Sequence, residues 1–217
     1  MSKTFAVSQQ HYLFGVQSFA TCVLDNSEDE YALALRDRTT RGVIKDVAAG
    51  VSELGVLFET SESKEALDAA IKEAGLQFVK IADSVPQVAL PKAHPLTDKE
   101  KIAISDLVDY PYVYFEQEDD DPKFAEEALA EAPHHKRIAT TDRATLSELI
   151  CAVNGYTITS GILVGVTDGS LLATVPLETD VVLELGCVVK GGLSDLSELG
   201  QRFIQVLTKN LSRYAVK

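Results

Sequence analysis

Leu149-Ile150-Cys151-Ala152-Val153-Asn154-Gly155-Tyr156-Thr157-Ile158-Thr159-Ser160-Gly161 reads as the end of a helix, a stop and a strand. The stop is Asn154-Gly155, the residue types that best tolerate the left-handed conformation at a helix C-terminus. The helix begins at about Asp142, and Tyr156 to Ser160 is extended. Upstream the same alternation runs from Thr4. Thr4 to Val7 is a short strand, and Leu13, Phe14, Val16, Phe19, Ala20 and Val23 recur near helical spacing. Tyr31 to Leu35 is a second strand, Val43, Ile44, Val47 and Ala48 mark a helix face ended by Gly50, and Leu54 to Phe58 is a third strand. Leu67, Ala70, Ile71 and Ala74 keep the i, i+3, i+4, i+7 pattern up to Gly75. Short apolar runs joined by amphipathic helices define an α/β fold with parallel strands.

Leu76 to Pro91 is two extended pieces broken near Asp83-Ser84-Val85-Pro86, where the chain changes direction into a second lobe. That lobe is expected to hold a strand at Tyr112–Phe115, a helix from Pro122 to Glu131, a strand around Arg137-Ile138-Ala139, and strands at Leu171–Val175 and Val181–Val189. Gly191-Gly192 marks the return, and Leu196, Leu199, Phe203, Ile204, Val206, Leu207 and Leu211 define a closing helix. The expected division is 1–82 with 190–217 as lobe one and 83–189 as lobe two.

With 217 residues and 46% apolar content the chain can bury a core without staples. A formal charge of −13 argues against a grip on phosphate backbones, which needs clustered Lys and Arg. Cys22, Cys151 and Cys187 lie in apolar runs and read as buried thiols in a reducing compartment. No apolar run is long enough to span a bilayer, and Met1 to Gln10 has no basic-then-apolar export pattern, so a cytoplasmic protein without membrane contact is expected.

Three passages in order, Lys92-Ala93-His94-Pro95-Leu96 after Val88-Ala89-Leu90-Pro91, then Ile104 to Val113, then Leu149 to Gly161, resemble the second lobe of the effector-binding domain of LysR-type transcriptional regulators. Gly50 to Leu57 resembles the strand that ends the family's first half-lobe. The resemblance implies a two-lobed, periplasmic-binding-protein-like fold of type II, with two interlobe crossovers and a mixed sheet flanked by helices in each lobe. It also implies a small-molecule effector in the cleft, a homodimer or tetramer paired side by side, and DNA contact only through a winged helix-turn-helix head, which has no counterpart in this sequence.

In such sheets a ligand sits beyond the carboxyl ends of the strands, against helix N-termini. Ser8-Gln9-Gln10-His11, Arg38-Thr39-Thr40 and Thr140-Thr141-Asp142-Arg143 have that form. The first two lie on lobe one and the third on lobe two, and Phe58-Glu59 and Ser160-Gly161-Ile162 face the same cleft. Arg38 and Arg143 suit a carboxylate, so a small anion is the expected guest, while surface ion pairing is the more ordinary role of either. The Ser and Thr residues also serve as ordinary N-caps, worth about 1 kcal/mol without any ligand. Gly161 lets a backbone approach a ligand or simply makes a turn. The resemblance favours Ser8 and Gln9, because family effectors are held at the loop after the first strand.

His134-His135 is read as a solvated loop rather than a metal site, since neighbouring imidazoles do not converge on one ion. Glu116 to Asp121 precedes a helix, with Asp121 as cap and Pro122 in the first turn. Neither a nucleophile with its base nor a phosphate-binding glycine loop is evident, so no catalysis, metal or cofactor is expected. The leading expectation is an effector-sensing regulatory domain. A solute-binding receptor of a transporter is the alternative, and a two-lobed enzyme comes third.

Overall fold

The computed structural model describes residues 3–26, 30–163 and 171–214. In chain order the elements begin with β1 (Lys3–Gln9), α1 (Leu13–Leu24), β2 (Tyr31–Asp37), α2 (Thr40–Ala48), β3 (Leu54–Glu59), α3 (Lys64–Glu73) and β4 (Gln77–Ser84). They continue with β5 (Gln87–Pro91), β6 (Tyr112–Phe115), β7 (Arg137–Thr140), α4 (Arg143–Ala152), β8 (Thr157–Thr159), β9 (Leu172–Pro176), β10 (Leu183–Val189) and α5 (Glu198–Tyr214). Among the described residues no helix is long and apolar enough to cross a membrane.

Every residue of β3 is buried, as befits a strand covered by helices on both faces. It sits at the centre of a five-stranded sheet of order β2-β1-β3-β10-β4. Strand alternation sends its side chains both ways. Leu57 packs with Val43 and Val47 of α2 and Leu67 and Ile71 of α3. Val56 and Phe58 point into the larger core with Phe14 of α1 and Phe203 and Leu207 of α5. The closing helix buries the expected face: Phe203, Leu207 and Leu211 have no measurable exposure.

The second half is built on β8-β5-β9 and on the parallel pair β6-β7. A parallel bridge between Tyr112 and Tyr156 links them, with Val113 N donating to Tyr156 O at 2.8 Å and Tyr156 N to Pro111 O at 2.9 Å. Asn154 takes φ 49° at the helix stop. A Cβ on Gly155 would lie 2.6 Å from Pro111 O, so the tight turn that delivers Tyr156 to this bridge requires glycine. The chain passes between the halves after β4 and after β9, and Leu177 N donates to Pro86 O at 3.0 Å, tying the two passages together.

Three sequence-based expectations are corrected. First, β10 belongs to the first sheet, not the second lobe: it pairs antiparallel with β3 and β4. The chain has therefore returned before Leu183, and Gly191-Gly192 is the turn into the segment leading to α5. An apolar strand carries no label of the sheet it joins. Second, the helix over Pro122–Glu131 is reduced to one 3-10 turn, Pro122–Phe124. Asp121 caps it as expected, accepting from Lys123 N at 3.1 Å. Beyond it the chain is extended at Ala125, and Leu129 takes φ 58°. Glu126 and Glu127 are buried and bonded to distant amides, and these tertiary bonds outweigh helix propensity. Third, His134 is not solvated. Its ring stacks on Tyr112 at 3.9 Å, and its nitrogens meet Tyr156 Oη at 2.7 Å and Leu129 O at 3.0 Å. Burial lowers its pKa. Of the three thiols, Cys22 and Cys187 are buried and Cys151 is partly exposed.

Candidate functional site

A cavity of about 640 Å³ opens where the carboxyl ends of the strands of the two halves face each other. The first half supplies Phe14 and Val16 from α1, Phe58 from β3 and Leu183 from β10. Across from them stand Leu146 of α4, Ile158 of β8, Ile162 and Leu172. Strand alternation and helical spacing aim these side chains inward, and hydrocarbon makes most of the wall.

Its polar corner is built around His11. The ring stacks on Phe115 at 3.9 Å and 6°, which fixes its plane. His11 N donates to Glu126 Oε2 at 2.9 Å, His11 Nδ1 lies 2.8 Å from the same oxygen, and Nε2 lies 3.2 Å from Thr141 O. Facing a carboxylate on one side and a carbonyl on the other, both ring nitrogens are satisfied only as donors, that is, as imidazolium. Burial by itself depresses the His11 pKa, but the hydrogen bond and charge of Glu126 prevail and raise it. Glu127, beside it, is also on the cavity wall and accepts from Phe115 N at 2.8 Å. Desolvation, then the charge of Glu126, pushes its pKa well above the carboxylate range, favouring the neutral acid.

A second cross-cleft pair joins Arg143, first in α4, to Asp37 at the end of β2: Nη2 to Oδ2 is 2.8 Å. A third set joins the acidic segment after β6 to the start of α2. Thr40 N donates to Gln117 Oε1 at 3.0 Å, Thr39 Oγ1 to Glu118 Oε1 at 3.2 Å, and Arg41 Nε to Asp119 Oδ2 at 2.8 Å. The Arg41 guanidinium lies 3.5 Å over the Phe124 ring. Residues 116–126 thus form a strap from one half to the other.

Of the residues singled out in sequence, His11, Phe58, Asp142, Arg143, Ser160 and Ile162 line this cavity and the others do not. β1 runs on to Gln9, so Ser8 is inside the strand and faces α2, donating to Asp46 Oδ2 at 2.7 Å. Gln9 Nε2 holds Tyr12 O and Asp37, while Gln10 Nε2 donates to Thr40 Oγ1 at 2.6 Å. Arg38 is paired with Asp46 at 3.0 Å, and Thr39 caps α2 by accepting from Gly42 N. Glu59 is buried and bonded to Lys64. Thr140 is buried at the end of β7, and Thr141 contributes its carbonyl to His11. Gly161 takes φ 75° in the turn before Ile162, where a Cβ would meet Gln87 Cγ at 2.3 Å; a turn is its role. Sequence reasoning missed Glu126 and Glu127, whose one signal is an acidic pair between Phe124 and Leu129. It also missed the apolar wall, whose members read simply as core.

The sheet order, the two passages between halves and a cavity lined from both define a two-lobed ligand-binding domain of the type II periplasmic-binding-protein-like class. The chain belongs to the LysR substrate binding domain family, whose model matches residues 29–212. It is the effector-binding domain of a transcriptional regulator of that family. Similar solved structures include HinK, a LysR family regulator from Pseudomonas aeruginosa, with 13% identity, TM-score 0.64, and 97% of this chain and 71% of that chain covered. The effector binding domain of QuiR in complex with shikimate matches at 12% identity and TM-score 0.64 over 100% of both chains. A Corynebacterium glutamicum OxyR mutant matches at 14% identity and TM-score 0.66, covering 98% of this chain and 65% of that one. At these identities the likeness carries the fold. Among proteins of curated function, none matches the chain in sequence.

Proposed function

We propose that a small-molecule effector binds, without turnover, in the cavity between the lobes, and that its binding changes the geometry in which copies of the chain associate. The observation that carries this reading is the 640 Å³ space itself, walled by residues of both halves and bridged by His11–Glu126 and Arg143–Asp37. A ligand touching both walls has different affinities for open and closed arrangements, which is the requirement for shifting an equilibrium. The QuiR effector binding domain, of the same fold, is in complex with shikimate, which supports a small-molecule guest.

Association is expected side by side, with α1 and the edge strand β2 against α4 of a second copy; Leu24 and Tyr31 at the facing ends of α1 and β2, and Val153 after α4, are exposed. DNA is engaged through a helix-turn-helix head outside this chain, in the cytoplasm. Membership of the LysR family favours this reading over a transporter receptor.

A thermal-shift screen of metabolites tests the site, because a ligand that prefers the folded chain raises its melting temperature. The best hit is expected to lose its shift in Ile158→Trp, which fills the cavity. A full shift in the folded variant moves the site elsewhere. Light scattering of Thr145→Glu and Leu149→Glu tests the pairing: an intact dimer in both excludes α4 from the interface.

A further inference from the structure

The chemistry of the cavity wall goes beyond the presence of a site, and it reverses the charge expected of the guest. Resting on the proposal that this cavity is the effector site, we infer that it takes an apolar molecule with a hydrogen-bond-donating head, an amine or a hydroxyl, and turns carboxylates away.

Three observations carry this. The volume, about 640 Å³, falls in the range of about 300–1,000 Å³ typical of sites for small organic ligands. Its wall is mainly hydrocarbon from Phe14, Leu146, Ile158, Ile162, Leu172 and Leu183, so the body of the ligand is apolar. The third observation is charge. Among the described lining residues the basic groups are His11 and Arg143, and each is already held by a carboxylate of the chain, Glu126 and Asp37. Asp142 and Glu148 line the same space, neither in an ion pair among the described residues, and Glu127 adds a buried carboxyl whose neutral form is favoured. The backbone N–H of His11, the donor an anion would seek after the first strand, is taken by Glu126 at 2.9 Å. The start of α2 is likewise taken by Gln117 and Glu118. The chain's own carboxylate occupies the anion position. An incoming carboxylate would have to expel it, with Asp142 and Glu148 on the same wall, whereas a donor head finds the Glu126 and Glu127 carboxyl oxygens at the polar corner.

Chain-length-matched probes test the head group: n-octylamine, 1-octanol and octanoate, measured by thermal shift and isothermal titration on the intact chain. The amine and alcohol are expected to bind at least about tenfold tighter than octanoate. Both should lose binding in Ile158→Trp; if that variant does not fold, Ser147→Trp fills the same space from the partly exposed face of α4. In Glu126→Gln, octanoate binding should appear, because the resident negative charge at the His11 N–H and ring is gone and the guest's carboxylate can take its place. Octanoate binding the native chain as well as octylamine, and lost in Ile158→Trp, overturns the donor-head inference and leaves the cavity as the site. No octanoate gain in Glu126→Gln counts against the resident-carboxylate explanation. Shifts that survive in both filled variants, or the absence of any shift, overturn the inference together with the site itself.

Discussion

The two lobes share one strand plan and differ in how firmly it is built. In the first, two parallel strands flank β3 on one side and two antiparallel neighbours follow on the other, in the order β2-β1-β3-β10-β4. In the second, the parallel pair β7-β6 reaches β8 only through the Tyr112–Tyr156 bridge, and β5 and β9 follow antiparallel. β1 and β2 pair over seven residues, β6 and β7 over four. Where α1 links β1 to β2, the second lobe has the strap, which gives up helical hydrogen bonds to place Glu126 and Glu127 in the cleft. One half is a scaffold with longer ladders, and the other has exchanged ladder for cleft contacts.

Core truncation sharpens this contrast most. Phe203→Ala in the first lobe removes a fully buried ring from the main core and is expected to cost about 3–5 kcal/mol. Ile150→Ala, in the small cluster with Val113 and Leu146, should cost less, near the lower end of about 2–5 kcal/mol. Urea midpoints compare them, and a larger loss for Ile150→Ala would break the assignment of the second lobe as the looser half. Amide exchange should be faster in β7 and β8 than in β3 and β10.

Next in size is the strap's acid. Glu127→Leu leaves Phe115 N without its acceptor and is expected to destabilise by about 1–3 kcal/mol. Glu127→Gln keeps the acceptor and stays within roughly 0.5 kcal/mol at neutral pH, since the native group favours its neutral form. Equal losses in the two variants would show that shape, not the hydrogen bond, holds the strap.

The histidines give the lobes opposite responses to pH. The His11 pKa is raised above its ordinary 6.5, so the stabilisation from its Glu126 contact is full below 6.5 and disappears as pH rises through the raised value. Those of His94 and His134, in the second lobe, are lowered by burial, so their neutral forms cost nothing above 6.5 and stability is lost as pH falls below it. Melting temperatures between about pH 5 and pH 9 should show His11→Gln abolishing the alkaline loss and leaving the acid one.

The smallest effect belongs to Arg41, paired with Asp119 and stacked on Phe124. Arg41→Ala is expected to cost about 0.5–1 kcal/mol, with the ion-pair share fading at high salt. A salt-independent loss would assign the contact to stacking alone.

Much of the first lobe was legible because its signals are local. The stripes of α2 and α3, the stops at Gly50 and Gly75 and the continuous apolar run of β3 each report a buried face through spacing alone. The family itself was legible in three short passages. Less of the cavity was. Ser8 looked like a loop residue until β1 proved two residues longer than its apolar run, and alternation then turned it toward Asp46. Ion pairing of Arg38 and Arg143 was the ordinary expectation, but sequence does not show that Asp46 and Asp37 are the partners beside them.

By itself the sequence determined the α/β class, most of the elements and the family, since periodicity, stops and short passages are properties of neighbouring residues. Only the tertiary structure decided that β10 rejoins the first sheet, that an acidic stretch of good helix formers becomes a strap, and that the cleft's cations already have partners. These depend on which distant groups meet. The free energy of burying Glu126 against His11, or β10 between β3 and β4, exists only once the lobes are assembled.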